Sequence, residues 1–224
     1  MQQNCKRNFG FTGLFFVGSV LFTLLVKTVD VLPVGPSHSL VGFGALNRSA
    51  ADFFGTSAFW KSVSAFLGLL AVAVALGFGL VGLIQWIWHR RLQAVNRGFF
   101  ALALVYGAMA VLYVGFELFV VNFRPVFTDG LLEASYPSSH TLLMLCVFGT
   151  APLQLGRLIP GKAKNRIAMV LFWFLAAVGV FSRTLSGVHW ITDILGGLLM
   201  GIMLIFLYVS LAGWMDSRTS QGKS

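Results

Sequence analysis

Six stretches of this 224-residue chain are apolar for long enough to cross a lipid bilayer, and that pattern decides most of what it can fold into. Hydrocarbon offers no partner to a free N–H or C=O, so each such stretch must satisfy its own backbone as a helix of about 20 residues. The runs lie at about 9–31, 62–88, 98–121, 139–158, 167–182 and 190–214, the fifth being the shortest, with Arg183 as its cap. Hydrophobic residues make up 57% of the chain and charged residues only 10%, against about 25% charge in a soluble domain. A soluble core is excluded. The expected fold is all-α, a polytopic bundle of six transmembrane helices in one domain, 1–224. Lys6 and Arg7 before an apolar run resemble the start of a signal peptide. No small-x-small cleavage site follows, and the run is long enough to span, so it reads as an uncleaved first helix.

Charge then sets the expected orientation. Lys6, Arg7, Arg90, Arg91, Arg97, Arg157, Lys162, Lys164, Arg166, Arg218 and Lys223 fall on one side of a six-span arrangement, eleven of the 16 Lys and Arg. By the positive-inside rule that side and both termini are cytoplasmic. Lys27, Arg48, Lys61, Arg124 and Arg183 lie toward the other side, with Asp30, Asp52, Glu117, Asp129, Glu133 and Asp193. The net charge of +9 follows from topology and anionic lipid headgroups, and it calls for no nucleic-acid partner. Cys5 and Cys146 fall at different depths, so no disulfide is expected.

The longest connection, 32–61, breaks at Pro33, Gly35 and Pro36. It then alternates Val41, Phe43, Leu46, Phe53 and Phe54 with Asn47, Arg48 and Asp52, the pattern of a short helix lying in the interface. Such a helix serves as a lid for a lipid or as a surface anchor. Asn47-Arg48-Ser49 is a glycosylation sequon, meaningful only in a eukaryotic secretory pathway. Asp216 to Ser224 reads as a short, disordered polar tail.

Three polar clusters share the side opposite the basic loops, within 122–140 and 182–193. Asn122-Phe123-Arg124-Pro125 follows the third span, and Tyr136-Pro137-Ser138-Ser139-His140-Thr141 opens the fourth. Ser182-Arg183-Thr184-Leu185-Ser186-Gly187-Val188-His189-Trp190-Ile191-Thr192-Asp193 joins the fifth to the sixth. Ionisable groups in or beside lipid are costly and are functional candidates by default. His189 and Asp193 are four apart, so a helix would put them on one face, the carboxylate holding the imidazole. Arginines beside exposed helix-start N–H groups suit a phosphate. Trp190 either walls this site or marks the interface.

Arg124-Pro125, Pro137-Ser138-Ser139-His140 and Ser182-Arg183-x5-His189-x3-Asp193 resemble, in order and spacing, the three signature motifs of the type 2 phosphatidic acid phosphatases. This membrane branch shares a superfamily with the vanadium haloperoxidases, and the likeness covers about 115–215. The resemblance implies that His189 attacks phosphorus to form a phosphohistidine while Asp193 holds its other nitrogen. It implies that His140 protonates the leaving oxygen and then activates water. Arg124, Arg183, Ser138 and N–H groups near Ser139 would bind the phosphoryl oxygens, with no metal and no cofactor.

Two positions depart from the family pattern. Ser139 replaces a glycine, and Glu117 replaces a lysine seven residues before Arg124. A carboxylate beside a phosphate is repulsive unless it is protonated, paired with a cation such as Lys27, or used to recognise a hydroxylic or positive headgroup. The substrate implied is a membrane lipid phosphate or diphosphate, met at the extracytoplasmic face of a bacterial cytoplasmic membrane. Phosphotransfer through the same site, and a non-catalytic lipid-phosphate sensor or transporter, are the alternatives. Oligomeric state is not legible.

Overall fold

The computed structural model describes residues 2–128 and 130–221, and among these every regular element is helical. The helices are α1 (Gln2–Thr28), α2 (Gly44–Phe54), α3 (Ala58–His89), α4 (Arg97–Leu118), α5 (Ser139–Leu158), α6 (Lys162–Leu185) and α7 (Ile191–Gln221). All but α2 are long and apolar enough to cross a membrane. Alternating direction puts the loops carrying the three motifs at one end, here called the motif end. The turn Leu92–Ala94 and the basic start of α6 lie at the other.

Burial ranks the helices. In its apolar window α5 is 67% buried and α7 50%, against 11% for α1. The central pair is therefore α5 and α7, the two helices that open on motif residues. α5 packs on α6 and α7, α1 lies along α7, α3 crosses α5 and α6, and α4 rests on α7 and α5. Small residues allow the close approach, as expected where lipid is as apolar as the helix faces. Gly196 of α7 lies against the ring of Tyr136, and Gly68 of α3 against His140.

Several boundaries differ from expectation. α6 has 24 residues and extends back through Arg166 and Lys164, while the shortest span is α5 with 20. The expected minimum came from counting charges against a span, whereas side chains in a first helical turn reach the interface. Arg183 lies inside the last turn of α6. α3 begins at Ala58, which places Lys61 in its first turn.

The C-terminal stretch is helical to Gln221, not disordered. Arg157 Nη2 donates to both oxygens of Asp216, each at 2.8 Å, Arg97 donates to Met215 O, and Arg218 stacks 4.8 Å over Trp214. These contacts give the final turns partners that sequence could not reveal. Asp129 and Lys223 lie outside the described residues. The thiols of Cys5 and Cys146 are free.

Candidate active site

The five residues between α6 and α7 form a tight turn in which Gly187 has φ +67°. That turn carries His189 and Trp190, so His189 precedes α7 and does not share its face with Asp193. The two still meet, His189 Nδ1 lying 3.4 Å from Asp193 Oδ2. The same Oδ2 accepts the Trp190 N–H at 2.9 Å. This is half of a capping box, with a carboxylate at the third helical position reaching back to the cap residue. Asp193 is thus fixed by the start of its own helix.

On the other side of the ring, Arg183 Nη2 stands 2.8 Å from His189 Nε2. A guanidinium can only donate, so Nε2 carries the lone pair and the ring proton sits on Nδ1, toward Asp193. Burial first, then the charges of Arg183 and Arg124, hold His189 well below the ordinary imidazole range. Neutral His189 therefore presents a basic nitrogen beside a cation. Arg183 and Asp193 are 4% and 0% exposed, a depth at which an unpaired charge would be strongly destabilising.

The segment 119–138 folds back on itself. Antiparallel bridges join Phe123 to Ala134 and Thr128 to Leu131, and Arg124 projects from this loop. Its Nε lies 3.2 Å from Glu133 Oε2 and donates to Ala134 O, which leaves the terminal guanidinium nitrogens for another partner. Trp190 Nε1 donates to Phe123 O at 2.7 Å, tying the Arg124 loop to the His189 loop. Trp190 is buried, at 4% exposure, so it walls the site. The Ser135 hydroxyl and the Asn122 amide lie beside Asp193. Tyr136 reaches the other way, its OH 2.9 Å from Thr23 Oγ1 of α1, and burial pushes that phenol up to about 12.

Ser138 caps α5. Fully buried, its oxygen accepts from Thr141 N and Oγ1, and its N–H donates to Asp193 O. Ser139 lines a cleft with His189, Arg124, Glu117, Tyr113, Phe116 and Tyr136. His140 lies one residue further into α5, close enough to Arg183 and Arg124 to feel their charge. Among the described residues no ion pair joins Lys27 to Glu117. α1 leans on α7, and an apolar cleft of ≈ 180 Å³, lined by Thr23, Leu112, Phe116 and Met200, separates α1 from α4.

Asn122, Glu133 and Ser135 are contributors that sequence reasoning did not assign to the site, while for Trp190 it left the site wall and the interface marker both open. For the first three the only signal was proximity to Arg124 and Tyr136 along the chain. The sequon asparagine is a further surprise. Asn47 is 0% exposed and its amide nitrogen is bonded twice, so it is no glycan acceptor.

The chain is a polytopic helical bundle with a buried Arg183–His189–Asp193 line at one end. Residues 49–215 match the PAP2 superfamily, and the chain belongs to that family. Phosphatidylglycerophosphatase B of Bacillus subtilis (strain 168) is 30% identical over 107 residues, 46% of this chain and 53% of the relative. A protein of Escherichia coli (strain K12), provisionally named undecaprenyl-diphosphatase YbjG, is 32% identical over 129 residues, 55% of this chain and 61% of the relative. The matched part thus spans little more than half the length of these curated relatives. The fold is that of a transmembrane PAP2-type phosphatidylglycerolphosphate phosphatase from Bacillus subtilis. Its crystal structure superposes with a TM-score of 0.67 at 17% identity, over 92% of this chain and 96% of that one.

Proposed function

We propose that this protein is an integral-membrane lipid phosphatase that hydrolyses a phosphate monoester or diphosphate through a phosphohistidine at His189, without a metal ion. The observation that carries the reading is the placement of Arg183 Nη2 at 2.8 Å from a His189 Nε2 that must hold its lone pair. A phosphoryl group entering at that point meets a nucleophile and a cation together.

In the first step Nε2 attacks phosphorus, the bond from phosphorus to the lipid oxygen breaks, and His140 gives that oxygen a proton. Asp193 stabilises the ring, whose Nδ1–H points at its carboxylate. In the second step His140 takes a proton from water and the water oxygen attacks phosphorus. The P–N bond breaks and its electron pair returns to Nε2. Arg183, the free nitrogens of Arg124 and the N–H groups at the start of α5 neutralise the phosphoryl oxygens, the part a metal plays elsewhere.

A lipid substrate suits the cleft system. Phe116 lines both the cleft that holds Arg124 and His189 and the apolar cleft between α1 and α4, so a headgroup in the first leaves its chain in the second. Glu117, at the mouth beside Arg124, suits a headgroup hydroxyl and disfavours a second phosphate. The basic loops at the opposite end support a motif end on the extracytoplasmic side of a bacterial cytoplasmic membrane, with α2 lying in that interface.

The test is phosphate release by detergent-solubilised protein in excess EDTA from phosphatidic acid, phosphatidylglycerol phosphate and a polyprenyl diphosphate. Wild type is compared with His189→Ala and Glu117→Gln. Release in EDTA that falls at least about a thousand-fold in His189→Ala supports the reading. Glu117→Gln is expected to favour the diphosphate. No release by folded wild type, or phosphate appearing on an added acceptor alcohol in place of water, overturns hydrolysis.

A further inference from the structure

α7 begins without a cap of its own. The residue at its cap position is Trp190, whose indole cannot accept the N–H groups of the first turn, and these must find oxygen elsewhere. Trp190 N–H is taken by Asp193 Oδ2. The N–H of Thr192 is taken from 145 residues away, by Asn47 Oδ1 of α2 at 3.2 Å. The contact is reciprocal. Asn47 Nδ2 donates to Thr192 Oγ1 at 2.9 Å, and that hydroxyl donates back to Asn47 Oδ1 at 3.3 Å. The second Nδ2 hydrogen goes to Gly42 O at 2.8 Å, while the Gly42 N–H donates to Asn122 Oδ1 at 3.4 Å.

One chain of bonds therefore runs from Asn122, beside Arg124, through Gly42 and Asn47 to the residue before Asp193. Asn47, Asn122 and Thr192 are each no more than 1% exposed, so no water competes for these bonds. A cap supplied by α2 places a surface helix under mechanical obligation to the reaction centre, because its displacement frees the first turn of α7. The outer side of α2 carries Leu46 at 52% and Phe53 at 82% exposure. The family match begins at 49 and so does not include Asn47.

We propose that Asn47 is a positioning residue that caps α7 from across the molecule and holds Asp193 and His189 in register. The inference rests on the phosphohistidine reading for its kinetic consequence but not for its structural one. The experiment accordingly has two readouts on full-length protein in micelles. The first is the ring ¹⁵N shifts of His189, assigned by loss of its signals in His189→Gln. Wild type is expected to show the single Nδ1–H tautomer, and Asn47→Ala a mixture of tautomers. Asn47→Gln keeps the amide oxygen and both donors without burying a charge, and should return most of the wild-type signal.

The second readout is turnover of the best lipid phosphate. Asn47→Ala is expected to lower kcat about ten- to a hundred-fold with KM within about twofold, and Asn47→Gln to recover part of that loss. A folded Asn47→Ala with an unchanged His189 tautomer and unchanged kcat overturns the proposal. If Asn47→Ala does not fold, Asn47→Gln decides: a tautomer mixture in that variant, with its amide oxygen and donors kept, overturns it as well. Absence of turnover in wild type would remove the phosphatase reading alone, since the tautomer still judges Asn47.

Discussion

At the scale of single residues, burial and the charges of Arg183 and Arg124 favour a neutral His189. His189 lies between Arg183, 2.8 Å from Nε2, and Asp193, 3.4 Å from Nδ1. Its folded pKa is depressed, so between the folded and unfolded values the unfolded chain binds the extra proton. The stability this group contributes is complete above about pH 6.5 and is lost as pH falls below it. His189→Gln is therefore expected to flatten the fall of melting temperature between about pH 6.5 and 5, measured by scanning fluorimetry in detergent. An unchanged slope would mean the ring is not held neutral. Sequence named His189, Asp193 and Arg183 because ionisable groups stand out against an apolar background. It could not name Glu133 or Asn122, since a carboxylate or amide in a polar loop looks the same whether it holds an arginine or meets only water.

The elements show how much of the chemistry is backbone geometry. The turn between α6 and α7 closes because Gly187 adopts φ +67°, and a Cβ there would overlap Gly55 O and lie 2.8 Å from Thr56 Cγ2. The positive φ alone costs a side chain about 1–2 kcal/mol, and the neighbour on one side is main chain that cannot rotate away. Gly187→Ala is expected to lower the melting temperature and cut turnover together. Circular dichroism melting and the phosphate-release assay check both, and retention of both would contradict the geometry. α2 is held in a similar way to α7. Asp30 Oδ2 accepts from Ala45 N at 2.8 Å, so α2 and α7 borrow cap oxygens from other segments, whereas α3 and α5 are capped locally by Ser57 and Ser138. The sequence showed α2 as an amphipathic pattern but not that its Asn47 caps α7, because a cap across 145 residues leaves no local spacing to read.

Over the whole molecule, the three loops that join the six spans in pairs at one end converge because α5 and α7 form the buried centre and both begin at the motif end. The basic loops at the other end make sidedness a property of the entire chain. With Cys5 replaced by serine, Phe127→Cys, at a position 52% exposed, is expected to react with a membrane-impermeant maleimide in intact cells. Ile159→Cys, at a position 46% exposed, should react only after permeabilisation. The reverse pattern would place the site on the cytoplasmic face.

The sequence by itself determined the number of spans, the sharing of one end by three motifs, and the identity of the central ionisable groups. Hydrophobic runs and isolated charges are local signals that lipid makes costly to ignore. Only the tertiary structure decided that His189 lies ahead of α7, that Trp190 and Glu133 brace the site, and that among the described residues no ion pair joins Lys27 to Glu117. It alone revealed that a sequon asparagine caps the helix bearing Asp193. Those outcomes depend on which helices touch, and packing between apolar faces is a sum of many weak contacts that no short stretch of sequence records.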